Sequence, residues 1–148
     1  MLYIGADHRG YKLKEQLKSW LKTESISVED VGAFSYDKND DYPLVAASLA
    51  ERVGASEDNK GILLCGSGVG ASAAANKRGG IRAAIGISPE QVADGRHDDD
   101  MNILVVAADH THEDGVRAMV QAFLKTDFDE GSERYQRRIS QIRSLESE

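Results

Sequence analysis

A single cysteine stands at the entrance to a glycine-rich turn. Cys65 follows an apolar run and precedes Gly66, Gly68 and Gly70 in the stretch GILLCGSGVG. Glycines at this spacing let the backbone turn sharply and bring its N–H groups close to a ligand. The helix predicted to follow adds the positive end of its dipole. The stretch therefore predicts an anion site that could hold a phosphate or a developing oxyanion.

The thiol of Cys65 is a candidate base or nucleophile in such a site. Aligned backbone dipoles favour the thiolate form of a neighbouring cysteine. The alternative is that Cys65 is a small core residue at the end of a buried strand, and a GxGxG string alone is weak evidence for a site. The combination of a lone thiol, a strand end, a glycine-rich turn and a helix start favours the functional interpretation.

Strand and helix patterns alternate along the chain. The stretches LYIG, SISVEDVG, KGILLCG, GIRAAIGI and MNILVVAA read as strands, and apolar residues at helical spacing lie between and after them. This alternation predicts a three-layer α/β/α, Rossmann-like fold with a five-stranded parallel sheet. Ligands bind beyond the carboxyl ends of the strands in such folds, and Cys65 is at one of those ends.

Composition narrows the class of protein. The 148 residues fit one domain, 1–148, and the net charge of −7 argues against general nucleic-acid binding. The longest apolar runs are too short to span a membrane, and the first residues do not read as a signal peptide. One cysteine cannot form an internal disulfide, which is typical of a reducing compartment. We therefore expect a cytoplasmic protein with no membrane or nucleic-acid partner.

Four motifs, in order, cover nearly the whole chain. They are ADHRGYKLKEQL, DDYP, CGSGVGASAAANKRGGIRAA and ERYQRR. Together they resemble the family of ribose-5-phosphate isomerase type B and galactose-6-phosphate isomerase. The resemblance implies an aldose–ketose isomerase that moves a proton between C1 and C2 of a phosphorylated sugar through a cis-enediolate, with ribose 5-phosphate favoured. It also implies no metal, no cofactor, and a homodimer or a dimer of dimers.

The same resemblance implies roles for individual residues. Cys65 would be the base, Ser67 its hydroxyl partner, and the amides of residues 66–70 would hold the oxyanion. Asp7 and His8 would contact the sugar and its phosphate, although a helix N-cap and a surface histidine would also explain them. The substrate-binding set implied is Asp7, His8, Tyr42, Gly66, Gly68, Val69, Gly70, Asp99, Arg134 and Arg138.

The last predicted helix carries two of these residues. Arg134 and Arg138 are four residues apart, so both guanidinium groups lie on one helix face, where they would grip a phosphate. A solvated basic face is the alternative. Tyr135, Ile139 and Ile142 follow another face and suggest packing on a partner chain, because the family completes its active site across a dimer interface.

The stretch before the fifth strand departs from the family. Relatives usually carry Arg-Glu-His-Asn-Asp, where the histidine opens the sugar ring, but this chain reads Arg96-His97-Asp98-Asp99-Asp100. Asp98 stands at the histidine position and Asp99 at the asparagine position. Either His97 takes the role after a small backbone shift, or Asp98 does, with its pKa raised by repulsion from the adjacent acids. The third alternative is that ring opening matters less here, because a tetrose phosphate cannot form the usual phosphate-bearing ring.

A second departure is Asp109, at a position that holds a phosphate-contacting arginine in many relatives. An acid facing phosphate is unfavourable, so either the phosphate sits differently or the substrate differs. The alternatives are an isomerase of galactose 6-phosphate, allose 6-phosphate or a tetrose 4-phosphate, or a phosphosugar-binding module without catalysis. A metal site is a weaker alternative that rests on His97, Asp98, Asp99, Asp100, Asp109, His110 and His112.

Overall fold

The computed structural model describes residues 1–147 as a five-stranded sheet covered by helices. The predicted alternation of strand and helix is confirmed. The elements are β1 (Leu2–Ala6), α1 (His8–Thr23), β2 (Glu29–Asp30), α2 (Tyr42–Gly54), β3 (Lys60–Cys65), α3 (Val69–Ala75), β4 (Ala83–Ile85), α4 (Pro89–Asp99), β5 (Ile103–Ala107), α5 (Glu113–Lys125) and α6 (Glu133–Ser144), followed by a short 3₁₀ turn, Leu145–Ser147.

All strand pairs in the sheet are parallel, and their order is β2-β1-β3-β5-β4. Ala6 of β1 pairs with Leu64 of β3, and Cys65 of β3 pairs with Ala107 of β5. The carboxyl ends of the three central strands therefore lie side by side, and the segments that follow them meet at one edge of the sheet. We call this edge the thiol edge, after Cys65.

The two faces of the sheet are covered by different helices. Along β3, Ile62 and Leu64 pack with α1, α4 and α5, whereas Leu63 and Cys65 pack with α2 and α3. This alternation follows from the two-residue period of a strand. Because α1 leaves β1 on one face and α3 leaves β3 on the other, the topology predicts a crevice between the two helix starts, which is where such folds bind ligands.

Several elements differ in extent from the sequence prediction, among them GIRAAIGI, which forms a strand only over Ala83–Ile85. The predicted second strand, SISVEDVG, pairs only through Glu29–Asp30, because it lies at the edge of the sheet and Ile26 and Val28 pack against the core without joining the ladder. Helix α4 runs two residues further than SPEQVADGRH and ends at Asp99, and its C-cap, Asp100, is left-handed with φ of 48°. Within residues 1–147, no helix is both long and apolar enough to cross a membrane.

Candidate active site

Cys65 is the last residue of β3, and its side chain is 5% exposed. The turn that follows passes through Gly68, whose φ of 77° is a conformation that L side chains rarely adopt, and α3 begins at the next residue, Val69. The Oγ of Ser67 accepts a hydrogen bond from the backbone N–H of Val69 at 3.3 Å. The hydroxyl proton of Ser67 stays available to a ligand.

Two side chains from other elements cover the turn. A Cβ atom added to Gly66 would overlap the guanidinium of Arg9, and one added to Gly70 would overlap the phenol ring of Tyr42. These glycines are therefore needed for close approach, and they let Arg9 and Tyr42 lie directly against the backbone beside Cys65. Tyr42 was predicted at the site from sequence. Arg9 was not, although it follows the predicted Asp7-His8 pair.

The start of α1 is anchored beside the thiol. Oδ1 of Asp7 accepts hydrogen bonds from the backbone N–H groups of Arg9 and Gly10 at 3.0 and 3.1 Å, so Asp7 is the N-cap of α1. The backbone N–H of Asp7 donates to the carbonyl of Leu64 at 3.3 Å. The N-cap explanation of Asp7 is thus confirmed, and it places the next residue, His8, within the crevice next to β3.

The imidazole of His8 is held by a residue that sequence reasoning missed. Its Nδ1 lies 2.6 Å from Oδ1 of Asp40, and the same oxygen accepts the backbone N–H of His8 at 3.0 Å. Nε2, the other ring nitrogen of His8, is the atom that could contact a ligand. The metal-ligating atoms of Asp7, His8 and Asp40 lie within 4.8 Å of one another, an arrangement that the helix cap and the His8–Asp40 hydrogen bonds account for.

The predicted ring-opening residues lie at the other edge of the sheet. His97, Asp98 and Asp99 form the last turn of α4, which returns the chain to the start of β5. β5 begins at Ile103, and Cys65 pairs with its last residue, Ala107. At a rise of about 3.3 Å per strand residue, the start of β5 at Ile103 and its end at Ala107 are roughly 13 Å apart along the strand. We call this second edge the helix-end edge.

His97 and Asp98 interact with each other and with α6. Nδ1 of His97 lies 2.7 Å from Oδ1 of Asp98, and the rings of His97 and Tyr135 meet edge to face with centroids 5.6 Å apart. The hydrogen bond with Asp98 raises the pKa of His97. The same hydrogen bond, with a smaller contribution from Tyr135, lowers the pKa of Asp98.

The expectation that neighbouring acids raise the pKa of Asp98 is wrong. The three carboxylates point to different partners: Asp98 contacts His97, whereas Asp100 bonds Arg82 and Arg96, each at 2.9 Å. Asp99 is exposed, and with Asp98 and Arg82 it lines a cavity of about 340 Å³. The pKa of Asp98 is therefore set by its hydrogen bond with His97 and not by repulsion from Asp99 and Asp100.

Helix α6 packs at the helix-end edge through α4. Arg134 and Arg138 are exposed on it, and the charge of Arg138 contributes to the low pKa of Asp98. Ile139 is only 4% exposed within its own chain, so the interpretation that it faces a partner is wrong, whereas Ile142 remains 37% exposed.

One chain therefore carries the predicted site residues in two separate groups. The residues of the metal alternative are divided in the same way, since His97 to Asp100 precede β5 and Asp109 to His112 follow it. At the thiol edge lie Asp7, His8, Tyr42, Cys65, Gly66, Ser67, Gly68, Val69 and Gly70, and at the helix-end edge lie His97, Asp98, Asp99, Arg134 and Arg138.

The parallel sheet, the buried thiol at its central strand end and the glycine-rich turn together form a site typical of an α/β enzyme. The family model described as Ribose/Galactose Isomerase matches residues 2–142. The chain belongs to this family.

Several curated relatives and solved structures agree. The probable ribose-5-phosphate isomerase B of Mycoplasma genitalium is 38% identical over 148 residues, covering 99% of this chain and 96% of the relative. The ribose-5-phosphate isomerase B of Escherichia coli is 34% identical over 143 residues, with 97% and 94% covered. The crystal structure of the Mycoplasma genitalium enzyme with bound ribulose-5-phosphate matches with a TM-score of 0.93 at 38% identity, covering 99% of this chain and 96% of that one. The Thermotoga maritima ribose 5-phosphate isomerase matches with a TM-score of 0.90 at 38% identity, covering 97% of each chain.

Proposed function

We propose that this protein interconverts ribose 5-phosphate and ribulose 5-phosphate. The observation that carries the proposal is the placement of Cys65 at the end of β3, directly before the turn that is covered by Arg9 and Tyr42. The likeness to a ribose-5-phosphate isomerase B whose structure holds ribulose-5-phosphate supports the choice of sugar. We further propose that residues 1–148 act as one domain in the cytoplasm, without a metal or cofactor.

Cys65 moves the proton between the two carbons. Its thiolate takes the proton from C2 of the open-chain aldose, a C1=C2 double bond forms, and O1 gains the negative charge. Backbone amides of residues 66–70 donate hydrogen bonds to that charge. The hydroxyl of Ser67 assists as the O2 proton moves to O1. The Cys65 thiol then returns its proton to C1, which leaves a carbonyl at C2 and regenerates the thiolate.

His97 opens the furanose ring in this proposal. Its raised pKa keeps a larger fraction of the imidazole protonated near neutral pH, and an imidazolium can donate a proton to the ring oxygen. Asp98, whose pKa is lowered, remains ionised and holds the imidazole through Nδ1. Nε2 of His97 is then the atom that faces the sugar.

We also propose that two copies of the chain assemble each site, as a homodimer or a dimer of dimers. Within one chain Cys65 and His97 lie at opposite edges of the sheet, so the helix-end edge of one copy has to meet the thiol edge of another. Apolar side chains are exposed around the thiol edge, as expected of a surface that a partner covers. They are Phe34, Tyr36, Leu44, Val69 and Ile87.

The charges at the two edges also favour a second copy of the chain as the partner. The thiol edge carries Asp40, Asp41 and Asp109, whereas exposed arginines follow α6 at the helix-end edge. Surfaces of opposite charge attract and set the orientation of association. A second copy of this chain offers a basic surface to the acidic side chains of the thiol edge.

Deuterium exchange tests the proposed reaction. The protein is incubated with ribose 5-phosphate in deuterated water, and the sugars are followed by NMR. We expect ribulose 5-phosphate to form with solvent deuterium at C1, since the thiol proton exchanges with solvent. Parallel incubations with galactose 6-phosphate, allose 6-phosphate and erythrose 4-phosphate measure selectivity. Binding of ribose 5-phosphate without product or exchange would mean that the protein is a binding module.

A further inference from the structure

Arg9 links the ends of the three central strands. It is the second residue of α1, which follows β1, and its side chain crosses the turn at Gly66 after β3. Its Nη2 donates to Oδ2 of Asp109, which follows β5. The backbone N–H of Asp109 in turn donates to the carbonyl of Gly66 at 3.0 Å. Arg9, Gly66 and Asp109 therefore form one closed unit beside Cys65.

The guanidinium in this unit has donors to spare. An arginine carries five N–H donors, and the contact with Asp109 occupies one side of the group. Nε and Nη1 of Arg9 lie over Gly66 and the side chain is 52% exposed, so the donors that Asp109 does not use are within reach of a ligand bound at the turn. A planar guanidinium with two free N–H groups matches the geometry of two phosphate oxygens.

The thiol edge needs this cation. Besides Asp109, it carries Asp7 and Asp40, and their field opposes a phosphorylated sugar. Asp109 itself is turned towards Arg9, so its charge is compensated where it stands. Relatives often carry an arginine at the position of Asp109. Here Asp109 instead holds Arg9, so a guanidinium still lies over the turn, but α1 carries it and not the segment after β5.

We propose that Arg9 binds the phosphate of the substrate and that Asp109 is its positioning residue. The inference rests on the proposed function and adds a residue to it. Phosphate is the group assigned because the amides of residues 66–70 serve the enediolate oxygen, and Arg9 is a guanidinium that the chain itself places beside this turn, whereas its Arg134 and Arg138 lie at the helix-end edge. Arg9 therefore acts mainly on substrate affinity, and Cys65 on turnover.

Steady-state kinetics and phosphate binding separate these roles. The experiment compares wild type with Arg9→Ala, Arg9→Asp, Asp109→Asn, the double variants Arg9→Ala/Asp109→Asn and Arg9→Asp/Asp109→Arg, and a control, Arg52→Ala. Arg52 is a half-exposed arginine paired with Glu29 at 2.7 Å on the opposite edge of the sheet, so it matches Arg9 in exposure and pairing. The measured quantities are kcat and KM for ribose 5-phosphate and the inhibition constant of inorganic phosphate.

Arg9→Ala should raise KM and the phosphate inhibition constant by roughly tenfold to a hundredfold, the range for a charge-assisted hydrogen bond, with a much smaller change in kcat. Arg52→Ala should leave both constants unchanged. The reciprocal variant Arg9→Asp/Asp109→Arg should recover at least about tenfold of the affinity lost in Arg9→Asp, because the guanidinium returns to the same place from the other side.

The positioning role has its own readout. Without Arg9, Asp109 only repels phosphate, so Asp109→Asn should tighten phosphate binding in the Arg9→Ala background. In the wild-type background Asp109→Asn also frees the guanidinium of Arg9 from its partner. The gain in phosphate binding should therefore be smaller there, or become a loss. Equal effects in the two backgrounds would overturn the role of Asp109.

Unchanged KM and phosphate inhibition in Arg9→Ala, or a loss confined to kcat, would overturn the role of Arg9. Thermal-shift titration with inorganic phosphate measures binding in the same variants without turnover. A wild type that fails to isomerise ribose 5-phosphate but loses phosphate binding with Arg9→Ala would contradict the proposed reaction and leave the phosphate contact standing.

Discussion

Nδ1 of His8 and Oδ1 of Asp40 lie 2.6 Å apart, although 32 positions separate the two residues in the chain. The contact joins the start of α1 to the loop that precedes α2. Both side chains are mostly covered, with 25% and 21% exposed. The direction of the His8 ring, and so the atom that it offers to a sugar, depends on a carboxylate from a different element.

Removing this carboxylate should weaken the enzyme without unfolding it. Asp40→Ala releases the imidazole of His8 and should lower kcat/KM for ribose 5-phosphate by about tenfold, as expected for the loss of a hydrogen bond to a charged group. Asp40→Asn keeps the shape and one acceptor oxygen, so it should retain more activity than alanine. Kinetics and thermal unfolding are measured together. Equal kcat/KM in wild type and Asp40→Ala would show that His8 needs no partner.

Cys65→Ala should abolish proton transfer while leaving the site able to bind. We expect kcat to fall by ~10²–10⁴, the usual contribution of a general base, with little change in KM. Ser67→Ala, which leaves the thiol in place, should cost less. The measurement is deuterium incorporation into ribulose 5-phosphate. Exchange at the normal rate in Cys65→Ala would remove the thiol from the mechanism.

Two impaired variants should restore activity above the sum of their separate activities when mixed, provided that each carries its defect at a different edge. Chains with Cys65→Ala and chains with Arg138→Ala, unfolded and refolded together, should form mixed pairs with one intact site each. Statistical pairing gives about a quarter of wild-type activity. Cys65→Ala mixed with Ser67→Ala is the matched control: both defects lie at the thiol edge, so no intact site forms and the mixture should show only the residual activity of its two components. Mixed pairs seen by native mass spectrometry but without activity would contradict a shared site.

The titration of His97 should depend on Asp98. The carboxylate favours the imidazolium through a hydrogen bond, so Asp98→Asn should move the pKa of His97 down towards its ordinary value of 6.5. Because the pKa is raised in the folded protein, the contact adds stability that is fully present below the unfolded pKa and is lost as pH rises through the folded one. NMR titration of the imidazole C–H signals in both proteins measures the shift. An unchanged His97 pKa would show that the hydrogen bond is absent in solution.

Features that depend on neighbouring residues could be predicted from sequence. The turn after Cys65 needs only its glycines and the end of an apolar strand, and the inward residues of α5 follow from helical spacing. Val116, Met119, Val120 and Phe123 stand at helical spacing in the sequence, and all four are buried. The place of His97 also follows from topology, because a helix that links two parallel strands must end at the edge where strands begin.

Contacts across long stretches of chain could not be predicted. The Arg9–Asp109 pair spans 100 positions, and nothing near either residue indicates the other. The pKa of Asp98 depends on which way each of three adjacent carboxylates points, and that is set by His97, Arg82 and Arg96 after folding. Local sequence shows which groups carry charge, whereas packing decides which of them meet.

Because Cys65 and His97 lie at opposite edges of the sheet, the activity per chain should depend on protein concentration. A lone chain would hold the base at one end and the ring-opening acid at the other, so neither end could complete a turnover of the cyclic sugar. Rate per chain would then fall on dilution below the dissociation constant of the pair and rise steeply as chains accumulate. The amount of protein made, and not only the supply of sugar, would set when the reaction begins.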